Sequence, residues 1–478
     1  MVDIPLLDSS EAPRARRWDA LVLGSGISAL VAAARIGRAG QRVLVVEEEA
    51  RAKLPPALRE PSFLAGLRDE GILDATLRAL TVPLIDRRRL AHERLAYQIA
   101  ADPYRLDIGQ PVVTAEELVT WGLAKPDDAQ TLVRRLIEAS EVERGLLLEA
   151  PFVRVGRRIA GSRGTSALGN HKRGLPGDAS SASGPLAQVI AAQIRSLSNL
   201  GLNPPSPEAQ ARLLGLGLAG GVGFADAPPW LIDLLRKRVS ALYGDFRTLT
   251  GDFELVSVSG QPGIRVIRSG EIWLGRALVI AAPPTALRDH VGRDPIRPAP
   301  ALLDRKVTRA YRAAFLYRIP VEILPEGMGA RVILPARQDA PENASDETTV
   351  MVTAFPSQTR PGFVELVARA VLPGTDPDRL EEDLARASDS IVARLERLMP
   401  FCGDQLQKIA GPIPQWDSDD GWLEDPPPGT GWPAELDLRL SSRPPIYHLD
   451  RAAVAGLGLE GDLLLGWRGG DAIAAELT

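Results

Sequence analysis

Residues 19–23 (DALVL) form an unbroken apolar run that Gly24 ends. The following stretch, 27–39, is rich in Ala and Leu and predicts a helix with Gly40 as its stop. Residues 42–46 (RVLVV) are a second apolar run of strand length. Continuous rather than alternating apolar strands suit a parallel sheet covered on both faces, so the chain opens on a β–α–β unit. Residues 54–90 then carry charged amphipathic patterns, broken at Pro55, Pro56, Pro61 and Pro83. Stretches 116–148, 185–200, 207–214 and 229–242 read as helices, the third with Gly215 as its stop. Between them, 161–184 is rich in Gly and Ser without a period, which predicts a flexible loop or lid.

From Phe246 the texture changes to short strands: FRTL, FELVSV, IRVIR, EIWLG and RALVIA, the last stopped by Pro283 and Pro284. Further strands are expected at 311–317, 330–334, 348–354 and 363–368. A helix is expected at 377–398, with Asp376 as N-cap. Residues 411–445 are irregular and rich in Pro and Trp. Residues 462–465 (DLLL) read as a final strand, followed by Gly466 and a short helix from about Asp471. This order predicts an α/β chain of two interleaved units. Residues 1–60, 235–290 and 450–478 would form a dinucleotide-binding unit around a parallel sheet. Residues 61–234 and 291–449 would form a helical and antiparallel-sheet unit.

Composition narrows the chemistry. The 478 residues are 45% hydrophobic and 24% charged, the balance of a globular protein. Cys402 is the only cysteine, and the histidines are His92, His171, His290 and His448, which excludes a disulfide scaffold and argues against a metal or iron–sulfur centre. The net charge is −5, with no basic excess to suggest nucleic acid. Residues 1–17 lack the apolar core of a secretory signal. The longest weakly charged stretch, 213–232, holds five glycines and two prolines and makes a poor spanning helix. A cytoplasmic location is expected, with peripheral contact to a membrane or a protein partner left open.

The sharpest motif is Gly24-Ser25-Gly26-Ile27-Ser28-Ala29, a G-x-G-x-x-A between an apolar strand and a helix. Gly24 allows the tight turn, Gly26 lets a pyrophosphate approach the backbone, and the helix N-terminus supplies free N–H groups and positive dipole. Glu47 follows the second strand, 23 residues after Gly24, where an acid accepts hydrogen bonds from ribose hydroxyls and repels a 2′-phosphate. The plainer account is a β–α–β unit whose glycines serve chain geometry alone.

Three segments resemble the flavin-containing amine oxidase and phytoene desaturase superfamily. They are DALVLGSGISALVAAARIGRAGQRVLVVEEE (Asp19 to Glu49), ALVIAAPPTAL (Ala277 to Leu287) and GDLLLGWRGGDAIAAEL (Gly461 to Leu477), about an eighth of the chain. The second is similar to the family's strand end over the cofactor. The third is similar to the C-terminal stretch whose backbone amides cap the flavin diphosphate and ring. The resemblance implies a Rossmann-type FAD-binding domain and a mixed helical and antiparallel-sheet substrate domain. It also implies FAD as cofactor, and hydride transfer from an apolar or amine-like small molecule. The cofactor-binding residues it implies are Gly24, Ser25, Gly26, Ile27, Ser28, Ala29, Glu47, Ala282, Gly466, Trp467, Asp471 and Ile473, with the adenine edge against residues 253–256. Two departures stand out. The family's G-G-[RK] cluster is replaced by EEEARAKLPPALRE, where Arg51, Lys53 or Arg59 could supply the cation. Trp467 follows Gly466 where the family places an acid, and Asp471 is the nearest acid in that stretch.

No catalytic residue emerges. Lys306 could line a substrate cavity or be a solvated strand-end lysine. Tyr447 and His448 could reach the ring or be a buried pair. Trp416, Trp422 and Trp432 could form an apolar mouth or pin an irregular loop. Residues 213–224 could line a tunnel or pack helices through glycine, and Cys402 reads as a buried apolar residue. Two other functions stay open. One is a non-catalytic binding or assembly subunit that keeps the fold with a degenerate cofactor site. The other is an NAD-linked dehydrogenase.

Overall fold

The computed structural model describes residues 16–67, 71–101, 104–149, 152–156, 182–201, 203–224, 231–283, 287, 309–336, 348–373, 377–412, 421–425 and 430–478. The Gly/Ser-rich stretch up to residue 181, Lys306 and Trp416 lie outside them. The opening unit is β1 (Arg16–Leu23), α1 (Ile27–Arg38) and β2 (Val43–Glu48). Its sheet is completed from distant parts of the chain. After α2 (Leu231–Ala241) come β3 (Asp245–Leu249), β4 (Phe253–Val258), β5 (Gln261–Val266) and β6 (Ile272–Ile280). Near the C-terminus lie β7 (Arg439–Ser442), β8 (Pro445–His448) and α3 (Gly458–Leu477).

The strand order is β7-β8-β6-β1-β2-β3, parallel from β8 to β3, with β4 and β5 as an antiparallel meander on β6. Leu23 lies opposite both Val46 and Ile280, and Ile280 opposite His448. The carboxyl ends of four parallel strands are therefore level, and the chain leaves them together at Gly24, Ala281 and Leu449. In open α/β sheets that edge is where ligands bind. β6 runs unbroken where two strands were expected. Gly275 does not break it, because a side chain there would meet Leu21 of β1, so the glycine serves close strand contact.

The second sheet has the order 407–410, 309–320, 363–373, 350–356, 331–334, 95–100, 105–109, with 422–424 also paired to 309–320. All pairs are antiparallel except 331–334 with 95–100. Helices Pro111–Thr120, Pro126–Glu149, Gly184–Leu197 and Pro207–Leu218 cover one side of it, and Leu380–Leu398 packs on its other strands. Gly215 does not stop its helix. It and Gly217 sit inside the helix, where added side chains would meet Ser140 and Tyr97. Of the 213–224 stretch, residues 213–218 pack as helix, and Gly221–Phe224 is a strand paired with Leu90–Glu93. Among the described residues, no helix is long and apolar enough to cross a membrane.

The C-terminus departs most from expectation. Residues 462–465 are not a strand but part of α3, one continuous 20-residue helix. The final strand is β8, so the first sheet gathers its C-terminal part from 439 onward rather than from 450. Helix α3 lies directly on α1. A side chain at Gly466 would come within 2.6 Å of the Ser28 carbonyl oxygen, and one at Gly470 within 2.7 Å of the Arg35 Cβ. The two glycines lie one turn apart and let the helix backbones touch. Arg35 then pairs with Asp471 at 2.5 Å.

This packing gives opposite outcomes for two helix glycines. Gly466→Ala should lower stability by ~1–3 kcal/mol, because the added carbon has no room. Gly145, in the middle of Pro126–Glu149, has open space around its missing side chain. Gly145→Ala should raise stability by ~1 kcal/mol through helix propensity alone. Urea unfolding midpoints of the two variants check both.

Candidate functional site

The glycine turn sits at the level carboxyl edge of the sheet. Gly24 has φ +114, a region that disfavours side chains. A Cβ there would also meet the Ala281–Ala282 peptide at 3.3 Å. Ala282 thus touches the turn. Gly26 is the N-cap of α1 in extended conformation. No side chain caps this helix, and its first turn carries no acid. Its leading N–H groups are an uncapped, positively polarised end. Ser25, Ile27, Ser28 and Ala29 are all buried. This cradle suits a diphosphate: glycine where the backbone must be approached, and amides aimed at the anion.

The three cations considered as replacements for the G-G-[RK] cluster stand in different surroundings. Arg51 is buried and its Nε donates to Ser25 Oγ at 3.2 Å. Lys53 is exposed and pairs with Glu49. Arg59 has its pKa lowered, first by burial, with Asp233 opposing, and then by the neighbouring charges of Arg236 and Arg51.

Glu47 stands at the carboxyl end of β2, opposite Thr248 of β3. The strand beside it is therefore β3, whereas residues 253–256 pair only within the meander. Glu47 is buried and both its oxygens are engaged: Arg236 Nη1 donates to Oε2 at 2.7 Å and Nη2 to Oε1 at 3.0 Å. The Arg236 guanidinium also lies over the Phe246 ring at 4.3 Å. Nothing in the local sequence signals this pair, because its partners are 189 residues apart.

Two small cavities flank the cradle. One, of about 70 Å³, lies between the two units and is lined by Ile27 of α1, Arg51, Arg59, Arg312 and Arg369, and by Glu460 of α3, among others. The other, of about 60 Å³, lies at the carboxyl edge itself, beside Ser28, Ala282 and His448. Sites for cofactors and drug-sized ligands span roughly 300–1,000 Å³. Both cavities fall below that range, and the Glu47 carboxylate is occupied by Arg236. The wall between the units is stitched by ion pairs. Arg212 forms a bidentate pair with Glu460, both contacts 2.7 Å and both residues buried. Arg451 holds Asp462 through two bonds of 2.8 and 2.7 Å, and Asn199 links Asp462 to Arg312.

The C-terminal site residues fall elsewhere. Gly466, Trp467, Asp471 and Ile473 all lie inside α3. Amides in a helix interior are committed to carbonyls one turn back and cannot be offered to a diphosphate. Gly466 is a packing contact, Asp471 an ion-pair partner of Arg35, and Ile473 a fully buried core residue. Trp467 packs against the same core, beside Arg468 at 4.6 Å. The acid that follows the true last strand is Asp450, two residues beyond β8, whose carboxylate accepts from the Ala452 N–H. Tyr447 and His448 form the end of β8 and are buried. Trp432 is buried against Gly456, whereas Trp422, edge-on to Tyr311, lines the cavity at the carboxyl edge. Burial pushes the Cys402 thiol pKa up, as suits an inert core residue. Among the described residues, no group of three His, Cys, Asp or Glu side chains could hold a metal ion.

Neither a protein-family model nor a curated protein sequence matches the chain. Solved structures match over nearly its whole length. An oxidoreductase from Methanosarcina mazei aligns with TM-score 0.56 at 14% identity, over 94% of this chain and 99% of that one. A Pyrococcus furiosus protein aligns with TM-score 0.54 at 13% identity, over 97% and 98%. Putrescine oxidase, solved with putrescine bound, aligns with TM-score 0.54 at 13% identity, over 97% and 100%. The chain shares the fold of these structures: a Rossmann-type α/β domain joined to a mixed helical and antiparallel-sheet domain.

Glu60 yields a pH prediction. Its carboxyl is buried beside the cradle and accepts from the N–H groups of Leu231 and Ile232 at the start of α2. Burial raises its pKa to about 8. The native state then holds this proton more tightly than the unfolded chain. Its contribution to stability is full below about pH 4.5 and is lost as pH rises through about 8. Glu60→Gln should flatten stability across that window, as read by denaturant midpoints near pH 5 and about pH 8.5.

Proposed function

We propose that the chain is an FAD-dependent oxidoreductase of the amine oxidase type. The observation that carries this reading is the cradle. Gly24 sits at φ +114 against the Ala281–Ala282 peptide, and the uncapped N-terminus of α1 faces the level ends of four parallel strands. Gly24, Ser25, Gly26 and the first turn of α1 would hold the diphosphate, with Arg51 adding positive charge. Glu47 would hold the adenosine ribose once released from Arg236. When bound, the flavin supplies a hydride acceptor for a substrate C–H or N–H bond. The chain's own part is to position both partners at the boundary between the two units and to exclude water there. Arg312 and Arg369 of the second sheet line the cavity at that boundary together with Glu60, Glu460 and Asp462.

A second reading is supported by one observation. The bidentate Arg236–Glu47 pair, with ring-end cavities of only about 70 and 60 Å³, would also be expected of a binding subunit that keeps the fold without redox chemistry. The cofactor content separates the two. Protein purified with FAD in the medium should be yellow and release about one FAD per chain on denaturation. Gly26→Val should abolish this while leaving the circular dichroism unchanged, because its side chain blocks the diphosphate and not the sheet. A colourless, folded wild type that cannot be reconstituted with FAD would establish the second reading instead.

A further inference from the structure

The element that carries Arg236 is fixed on every side. The first two N–H groups of α2 are held by the Glu60 carboxyl group at 2.9 and 3.0 Å. Lys237 pairs with Asp86 at 2.9 Å, and Arg238 Nε donates to the Leu80 carbonyl at 2.7 Å. Helix α2 therefore presents Arg236 to the end of β2 from a rigid mount, and only the side chain is free to change place.

That side chain has a way out. Arg236 is 24% exposed, whereas Glu47 beneath it is 5% exposed. The guanidinium can swing into water without disturbing the core, but Glu47 cannot leave. The fork donates to the same two carboxylate oxygens that a ribose diol requires. Around this pair the charges are crowded, since Arg236 and Arg51 each lie close enough to Arg59 to lower its pKa, against the opposing pull of Asp233 and Glu47. An incoming diphosphate supplies anionic partners for these cations. The released Glu47 then finds its donors on the ligand.

Building on the reading that the cradle takes a dinucleotide, we propose that Arg236 is an internal competitor for the adenosine site. Glu47 is either paired with Arg236 or bound to the ligand's ribose hydroxyls, and each dinucleotide that enters exchanges one for the other. Arg236 thereby sets how tightly the chain holds an adenosine-containing ligand.

The test is calorimetric titration of the full chain with ADP-ribose, which carries the adenosine and diphosphate but no redox ring. Arg236→Gln should bind at least tenfold more tightly than wild type. Glu47→Gln/Arg236→Gln should lose that gain, because the gain acts through the freed carboxylate. Removing Arg236 leaves a buried carboxylate without its partner, which can cost the fold. Arg236→Lys covers that case: it keeps the charge but replaces the fork by a single contact, and should tighten binding several-fold at nearly unchanged melting temperature. If wild type binds ADP-ribose and neither Arg236→Gln nor Arg236→Lys binds it more tightly, the competitor role is overturned while the dinucleotide reading stands. If wild type and all variants fail to bind ADP-ribose and FAD, the dinucleotide reading falls and the competitor role with it.

Discussion

Helix α1 must be buried on nearly every side, and the rest of the molecule is arranged around that need. Nine of its twelve residues are buried, and none of its exposed positions forms a polar face wide enough to meet water. One side rests on the parallel sheet. The others require α2 and α3, brought from distant parts of the chain. The approach of α3 is possible only because Gly466 and Gly470 replace side chains with space. Once α1 is held this way, its N-terminus is fixed at the level edge of four strands. The glycine turn and Glu47 inherit their positions from it. Fully burying each of Leu30, Val31 and Ile36 contributes ~1.5–3 kcal/mol, so the cradle's geometry is set by core packing and not by the ligand.

A second layer of constraint is ionic. Arg212–Glu460 and Arg451–Asp462 tie the helical part of the substrate unit and the loop after β8 to the first turns of α3. Removing one partner of such a buried pair typically costs ~3–5 kcal/mol, because the other charge stays behind. The same chemistry governs the site. Guanidinium groups stand next to the glycine turn, on Glu47 and along the boundary cavity. The architecture shared with the solved structures rests on apolar packing, and these charged side chains are laid over it.

Parts of this were legible in the sequence and parts were not, for physical reasons. The β1–α1–β2 unit was plain because two continuous apolar runs flank a helix of small residues, with glycine at both changes of direction. Residues 462–465 were misread because four consecutive apolar positions look alike in a strand and in a helix buried all round. The true last strand, Pro445–His448, is only four residues long and opens on proline, so it carried no strand signal. Gly215 looked like a helix stop and Gly466 like the turn after a strand; both are interior helix packing contacts instead, and only the partner surface reveals that. The Arg236–Glu47 pair was beyond reach, since no local pattern tells which of many arginines folds back onto an acid 189 residues away.

The contact between α1 and α3 also sets an order of events in the cell. At about 5–20 residues per second, the ribosome completes α1 some tens of seconds before the helix that covers it emerges, roughly 430 residues later. Throughout that interval the side of α1 that α3 covers lies bare, and the side that α2 covers lies bare until Leu231–Ala241 has been made. The nascent polypeptide must either hold α1 against a partial sheet or be shielded by a chaperone. Truncation before Gly458 would then leave an aggregation-prone product rather than a smaller folded protein.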